Sequence, residues 1–266
     1  MLNKEYWISK QKDQLPDFII GGAMKSATTT LHAILNNHPD VGVAKGEIGF
    51  FDLDNILEHP DFSYFNSVEN KWFIQDISKD PKKAWEWYLS KFPTNKKITG
   101  EDSTTYLASK IAAKRIALQR KAIKMIFILR HPTYRTISNY YHLLKSGRAE
   151  YTLEKTLEFN PQSIIRRSLY KTQLEHYYKC LPAENIKVIL FEDFIKSKEA
   201  VIREITEFLD IDFDKFQEQD LEVHSNETNY YKSEKLLLMK NRLLRSYGRK
   251  RYSNNIPFPY STEDSS

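Results

Sequence analysis

The sequence predicts an α/β fold, a P-loop-like and mainly parallel sheet with helices on both faces. Three observations carry this. Short apolar runs alternate along the chain with stretches of helical period. One run, Met125-Ile126-Phe127-Ile128-Leu129, is apolar at every position, as a strand buried on both faces requires. The first run ends in Gly21-Gly22 and passes through a hydroxyl-rich loop into a helix, a strand-loop-helix opening.

Taken in order, Phe18-Ile19-Ile20 is the first strand, and Leu31, Ile34 and Leu35 give the helix after the loop its buried face. His38-Pro39-Asp40 stops that helix, and Val41 to Ala44 form a second short strand before the segment Lys45 to Asp54. Asn55 to Asp80 has scattered aromatics without a period and reads as an excursion on the acceptor side. Pro81 opens a helix with Trp85, Tyr88 and Leu89 inward. Lys97 to Gly100 is a strand, Glu101 to Tyr106 a loop, and a helix runs to about Gln119. Arg130 ends the Met125 to Leu129 strand. Pro132 begins a helix buried through Ile137, Tyr140, Tyr141 and Leu144 until Gly147. A helix over Leu169 to Cys180, a strand over Ile186 to Phe191 and a helix over Lys198 to Leu209 complete the alternation. One domain is expected, with its core over residues 17–246 and a polar tail over 259–266.

Composition narrows the function classes. The chain of 266 residues is 41% hydrophobic with 8 Gly and 10 Pro, which is globular. A net charge of +5, spread along the chain, suits an anionic ligand and argues against a nucleic-acid surface. Cys180 is the single cysteine, so neither an intramolecular disulfide nor a multi-cysteine metal site is open to it. Met1 to Pro16 is polar and no segment reaches the ~20 apolar residues of a membrane span, so a cytoplasmic protein without a membrane partner is expected.

The loop Gly21 to Thr30 places Lys25, Ser26, Ala27, Thr28, Thr29 and Thr30 at a helix start, where backbone N–H groups converge and anions bind. Lys25 adds full positive charge and the hydroxyls add donors. The plainer alternative is a Ser/Thr-rich helix cap beside a solvated lysine. Walker A spacing is absent, because Lys25 comes early.

The run Met24-Lys25-Ser26-Ala27-Thr28-Thr29-Thr30-Leu31 resembles the 5′-phosphosulfate loop of sulfotransferases that use 3′-phosphoadenosine 5′-phosphosulfate (PAPS), usually written P-K-S/G-G-T-T/R, with Ala27 where that family has Gly. Ile128 to Tyr140 resembles the family's 3′-phosphate segment, which implies that Arg130 and Ser138 bind that phosphate. Lys45-Gly46-Glu47-Ile48-Gly49-Phe50-Phe51-Asp52 and Glu101-Asp102-Ser103-Thr104-Thr105-Tyr106 resemble segments of the glycosaminoglycan (heparan sulfate) branch and its bacterial relatives. The likeness continues through Ser168-Leu169-Tyr170 and Leu190-Phe191-Glu192-Asp193.

What the resemblance implies is the sulfotransferase fold, PAPS as donor with PAP as product, no metal, and Glu47 as general base with Lys25 on the leaving phosphate. Glu47 has a bland alternative as an ion-pair partner of Lys45. Lys45, Glu101, Asp102 and His142 are the acceptor-side candidates. His32 and His38 read as ordinary helix and turn residues. Asp102 stands where that branch carries Lys, Gly49 where it carries His and Thr104 where it carries Pro. The added negative charge points to a neutral or cationic small-molecule acceptor, as in natural-product tailoring. A carbohydrate O-sulfotransferase, a P-loop kinase and an inactive PAP-binding module are the alternatives. Arg249-Lys250-Arg251 reads as a basic helix end or a substitute for the family's loop over the 3′-phosphate.

Overall fold

A computed structural model describes residues 5–55, 58–59, 64–66, 70–223, 233–243 and 259–261. In chain order the strands and helices are β1 (Phe18–Gly22), α1 (Thr28–Asn37), β2 (Val41–Glu47), β3 (Tyr64–Asn66), β4 (Lys71–Gln75), α2 (Pro81–Leu89), β5 (Ile98–Asp102), α3 (Lys110–Ala117), β6 (Lys124–Leu129) and α4 (Pro132–Lys145). They continue as α5 (Leu153–Phe159), α6 (Gln162–Ile165), α7 (Tyr170–Cys180), β7 (Ile186–Leu190), α8 (Phe191–Lys196), α9 (Lys198–Leu209), α10 (Glu234–Leu243) and β8 (Pro259–Ser261). These elements fall into two compact units. One holds the chain up to Asp52, Asp80–His131 and the stretch from Tyr170 through α9; the other holds Leu53–Lys79, Pro132–Leu169, α10 and β8.

The first unit is a five-stranded sheet in the order β2-β5-β1-β6-β7, parallel at every pairing. From β1 the chain runs to the β2 edge, returns to β5, and then crosses to β6 on the other side. The order therefore reverses at β1, and ligands of such sheets bind in the crevice at the carboxyl end of that strand. One face of the sheet presents Phe18, Ile20, Ile126 and Ile128 to Leu31, Ile34 and Leu35 of α1 and to Val201, Ile202, Ile205 and Leu209 of α9. Residues of the opposite parity face the other way, where Phe127 meets Tyr177 of α7 with ring centroids 4.7 Å apart. Each aliphatic side chain so enclosed contributes about 1.5 to 3 kcal/mol.

Local signals set the helix starts. Asp80 caps α2 by accepting from the Lys83 N–H at 3.0 Å, with Pro81 at the first helical position. Ser109 caps α3 through the Ala112 N–H.

Two strands run further than their apolar residues indicate. β2 extends through Lys45 and Gly46 to Glu47, and β5 includes Glu101 and Asp102, where a loop was expected. Charged residues are poor strand formers in isolation, but here the pairing resumes after a register shift between Val43 and Glu47, with Glu47 opposite Asp102. Conversely Phe191 starts α8 instead of ending β7.

In the second unit the aperiodic stretch after Asn55 contains β3 and β4, which pair antiparallel, and β8 joins at β4. Tyr140, Leu144, Ala149, Ile164 and Leu238 form a small core. Asn241 donates its amide to Leu144 O at 3.0 Å and Ala149 O at 2.8 Å, tying α10 to the end of α4 and the turn after it. Arg135 is fully buried and donates to Ser168 Oγ and Ile164 O. Ser168 also donates to Pro132 O, so it braces the first turn of α4. The Glu58 carboxylate lies between Arg166 and Arg167.

Candidate active site

The carboxyl ends of the five parallel strands gather the chemistry of the first unit. The loop after β1 begins where the ladder slips between Ile20 and Gly22, and the Ala23 N–H still donates to Ile128 O at 2.8 Å. Lys25 and Ala27 then take left-handed backbone, at φ 70° and 62°. An alternation of hand gathers successive N–H groups into a concavity that suits an anion. Ala27 is the N-cap of α1, and no side chain caps that helix. The Ser26 hydroxyl is fully buried without a hydrogen-bond partner. A hydroxyl left orphaned at a helix N-terminus is what a bound phosphate or sulfate oxygen would satisfy, so the loop fits the phosphosulfate end of PAPS.

Arg130 follows β6, the neighbour of β1. One of its guanidinium nitrogens approaches Lys25 O at 3.5 Å, and its carbon lies 4.6 Å from the Phe191 ring centre. The Tyr170 hydroxyl donates to Arg130 O at 2.9 Å, and the His131 N–H donates to Glu192 Oε1 at 3.0 Å. Tyr170, Phe191 and Glu192 thus fix the backbone and plane of a half-buried arginine. The sequence flagged the segments they belong to without giving them this role.

On the other side of β1 stand β5 and β2. Glu47 is exposed at the end of β2, and both its carboxylate oxygens lie 3.0 Å from the Thr104 hydroxyl that donates to them. The turn that follows is held in place: Gly49, at φ 63°, donates its N–H to Ser103 Oγ at 2.9 Å, and the Phe51 N–H donates to the Tyr106 hydroxyl at 3.0 Å. Arg115, with its guanidinium 3.4 Å from the Trp7 ring centre, donates to Phe51 O at 3.0 Å. Phe50 stacks on Tyr88 with centroids 4.4 Å apart. This anchoring keeps the Glu47 turn rigid.

Asp102 is 4% exposed, with Oδ2 at 3.7 Å from His32 Nδ1. Burial raises its pKa and His32 works against that rise. Glu101 points the opposite way and is completely buried. Burial, foremost, pushes its carboxyl up to about 8; Tyr106 and Tyr88 pull it down without completing a well-formed hydrogen bond, and the Asp52 and Asp102 carboxylates add to the rise. The acceptor-contacting role expected for Glu101 is therefore corrected, because its carboxyl is completely buried beside Tyr88 and Tyr106.

Lys45 is exposed on β2, two residues before Glu47. Thr29 is exposed, while Thr28 and Thr30 are buried. Ser138 and His142 belong to the second unit, one turn apart on α4, Ser138 buried and His142 exposed. Arg249-Lys250-Arg251 lies outside the described residues.

Comparison with known proteins follows the same lines. Residues 16–215 match the profile described as the sulfotransferase family. Heparan sulfate glucosamine 3-O-sulfotransferase 5 of Homo sapiens is 30% identical over 211 residues, covering 74% of this chain and 54% of the relative. The membrane-associated sulfotransferase kil1 of Dictyostelium discoideum is 24% identical, covering 86% of this chain and 66% of its own length. The chain spans about half the length of the first of these. A solved sulfotransferase from Alicyclobacillus acidocaldarius shares the fold at a TM-score of 0.61 and 23% identity, covering 92% of this chain and 96% of that one.

Proposed function

The chain belongs to the sulfotransferase family, and from that premise we propose that it moves a sulfuryl group from PAPS to a hydroxyl or amine of a neutral or cationic acceptor, in the first instance a sugar. The observation that carries the donor is the loop after β1, where Lys25 stands beside an uncapped helix start and a buried, unpartnered Ser26 hydroxyl. The sugar reading draws on relatives that act on heparan sulfate. The preference for an acceptor without negative charge draws on Glu47 and Asp102, adjacent acids at the acceptor side of the sheet.

PAPS supplies an activated sulfuryl group whose bridging oxygen becomes a phosphate oxygen as the S–O bond breaks. The acceptor oxygen or nitrogen forms the new bond to sulfur and gives up its proton. Glu47 is the proton acceptor at this edge, its carboxylate oriented by the Thr104 hydroxyl. Lys25 and the loop N–H groups stabilise the charge that gathers on the departing phosphate. Arg130, braced by Tyr170 and Phe191, is the candidate for the 3′-phosphate. Tyr106 holds the Glu47 turn through the Phe51 N–H.

The test offers PAPS with three oligosaccharides, a cationic glucosamine oligomer, its neutral N-acetylated form and an acidic glucuronate-containing one, and follows sulfated products by mass spectrometry. Transfer to the first two, lost in Glu47→Gln, supports the reading. Exclusive transfer to the acidic oligomer contradicts the charge preference, and transfer undiminished in Glu47→Gln removes the base.

A further inference from the structure

β6 and β7 run in register as far as Leu129 and Leu190, where their ladder ends. The peptide that follows, between Arg130 and His131, lies beyond it: β7 gives way to α8 at Phe191, and Pro132 disfavours helical backbone at His131. Two side chains take over. The Tyr170 hydroxyl donates to the Arg130 carbonyl at 2.9 Å, and Glu192, in the first turn of α8, accepts from the His131 N–H at 3.0 Å. A trans peptide carries its C=O and N–H on opposite edges of one plane, so this plane is held from both edges. All four residues belong to the first unit.

Fixing that plane fixes the direction in which the Arg130 side chain leaves the backbone. Its guanidinium then lies by the Phe191 ring, 4.6 Å from the ring centre, with one nitrogen 3.5 Å from the Lys25 carbonyl of the donor loop. We propose that Tyr170 and Glu192 are positioning residues for nucleotide selectivity: holding both edges of the Arg130–His131 peptide, they aim Arg130 and set the preference for a nucleotide with a 3′-phosphate over one without it. This rests on the reading of Arg130 as the group that binds that phosphate. A guanidinium grips a phosphate best through two parallel N–H bonds, which demand one orientation of its plane. Left free to turn, Arg130 keeps its charge and loses the second bond.

Calorimetry measures the affinity for PAP and, by competition with PAP, the affinity for AMP, which is PAP without its 3′-phosphate. Tyr170→Phe keeps the ring and removes the hydroxyl; it is expected to weaken PAP binding about three- to tenfold and to leave AMP within about twofold. Glu192→Gln and Glu192→Ala both remove the exposed negative charge, and only Gln keeps an acceptor for the His131 N–H. The alanine variant should therefore bind PAP about three- to tenfold more weakly than the glutamine variant, with AMP equal in the two. In an Arg130→Ala background Tyr170→Phe should change PAP affinity by less than about twofold, because the group it aims is gone. A general loosening of the fold would weaken both nucleotides alike. Equal losses for PAP and AMP, unmoved PAP affinity in Tyr170→Phe, equal PAP affinity in the two Glu192 variants, or a Tyr170→Phe loss as large without Arg130 as with it overturns the proposal. The Glu192 pair, at an exposed site, serves where Tyr170→Phe does not fold. The two readings fail separately: PAP binding undiminished in Arg130→Ala removes the phosphate role of Arg130, whereas binding weakened there and unmoved in Tyr170→Phe removes only the positioning.

Discussion

The Thr104 hydroxyl lies 3.0 Å from both carboxylate oxygens of Glu47. A hydroxyl donating to an ionised carboxylate is among the stronger hydrogen bonds, and its value here is to hold one oxygen pair in one orientation. Thr104→Val keeps the shape and removes the donor. Sulfuryl transfer is expected to fall about tenfold in kcat/KM, with PAP affinity unchanged by calorimetry. A variant as active as the parent would show that the bond does not orient the base.

Glu101 gives the protein a pH-dependent stability of unusual sign. Its carboxyl is raised from 4.5 to about 8, chiefly by burial, so the folded state holds a proton that the unfolded chain has already lost. The unfolded state binds fewer protons across that interval, and stability therefore declines as pH rises from about 4.5 to about 8 and levels off above. Glu101→Gln cannot ionise and should flatten this decline, becoming the more stable form at neutral pH. Urea unfolding at several pH values reads it; a parent whose stability is flat over the interval would refute it.

Ala27 adopts a left-handed backbone that glycine reaches without strain. Ala27→Gly is expected to raise the unfolding free energy by about 0.5 to 1 kcal/mol in urea titrations, with PAP binding retained. Lower stability would mean that the contacts of the Ala27 methyl with the core outweigh the relief.

In the second unit Glu58 is the shared partner of Arg166 and Arg167, its own side chain 1% exposed. Glu58→Gln removes the carboxylate that both arginines share and should destabilise by about 1 to 3 kcal/mol in thermal or urea unfolding. No measurable loss would place the pair among surface contacts of little value.

Much of this was legible in the sequence. The run Met125 to Leu129 read as an enclosed strand and is one, and the suspicion that Ala27 occupies a position suited to glycine is met by its left-handed backbone. What stayed hidden was tertiary. Glu101 reads as a loop acid because nothing local says that Trp85, Tyr88 and Tyr106 will close around the Glu47 turn. His32 reads as a helix residue because its partner Asp102 lies seventy positions away on another strand. Likewise β3 and β4 are too short and irregular to show a period, and their pairing comes from each other and from β8.

The central claim is that the loop after β1 and the arginine after β6 together hold the donor nucleotide. Calorimetric titration with PAP tests it without knowledge of the acceptor. The parent protein should bind PAP, and Lys25→Ala and Arg130→Ala should each weaken that binding by about ten- to a hundredfold while remaining folded. Failure of the folded parent to bind PAP, or binding that neither substitution weakens, would contradict it.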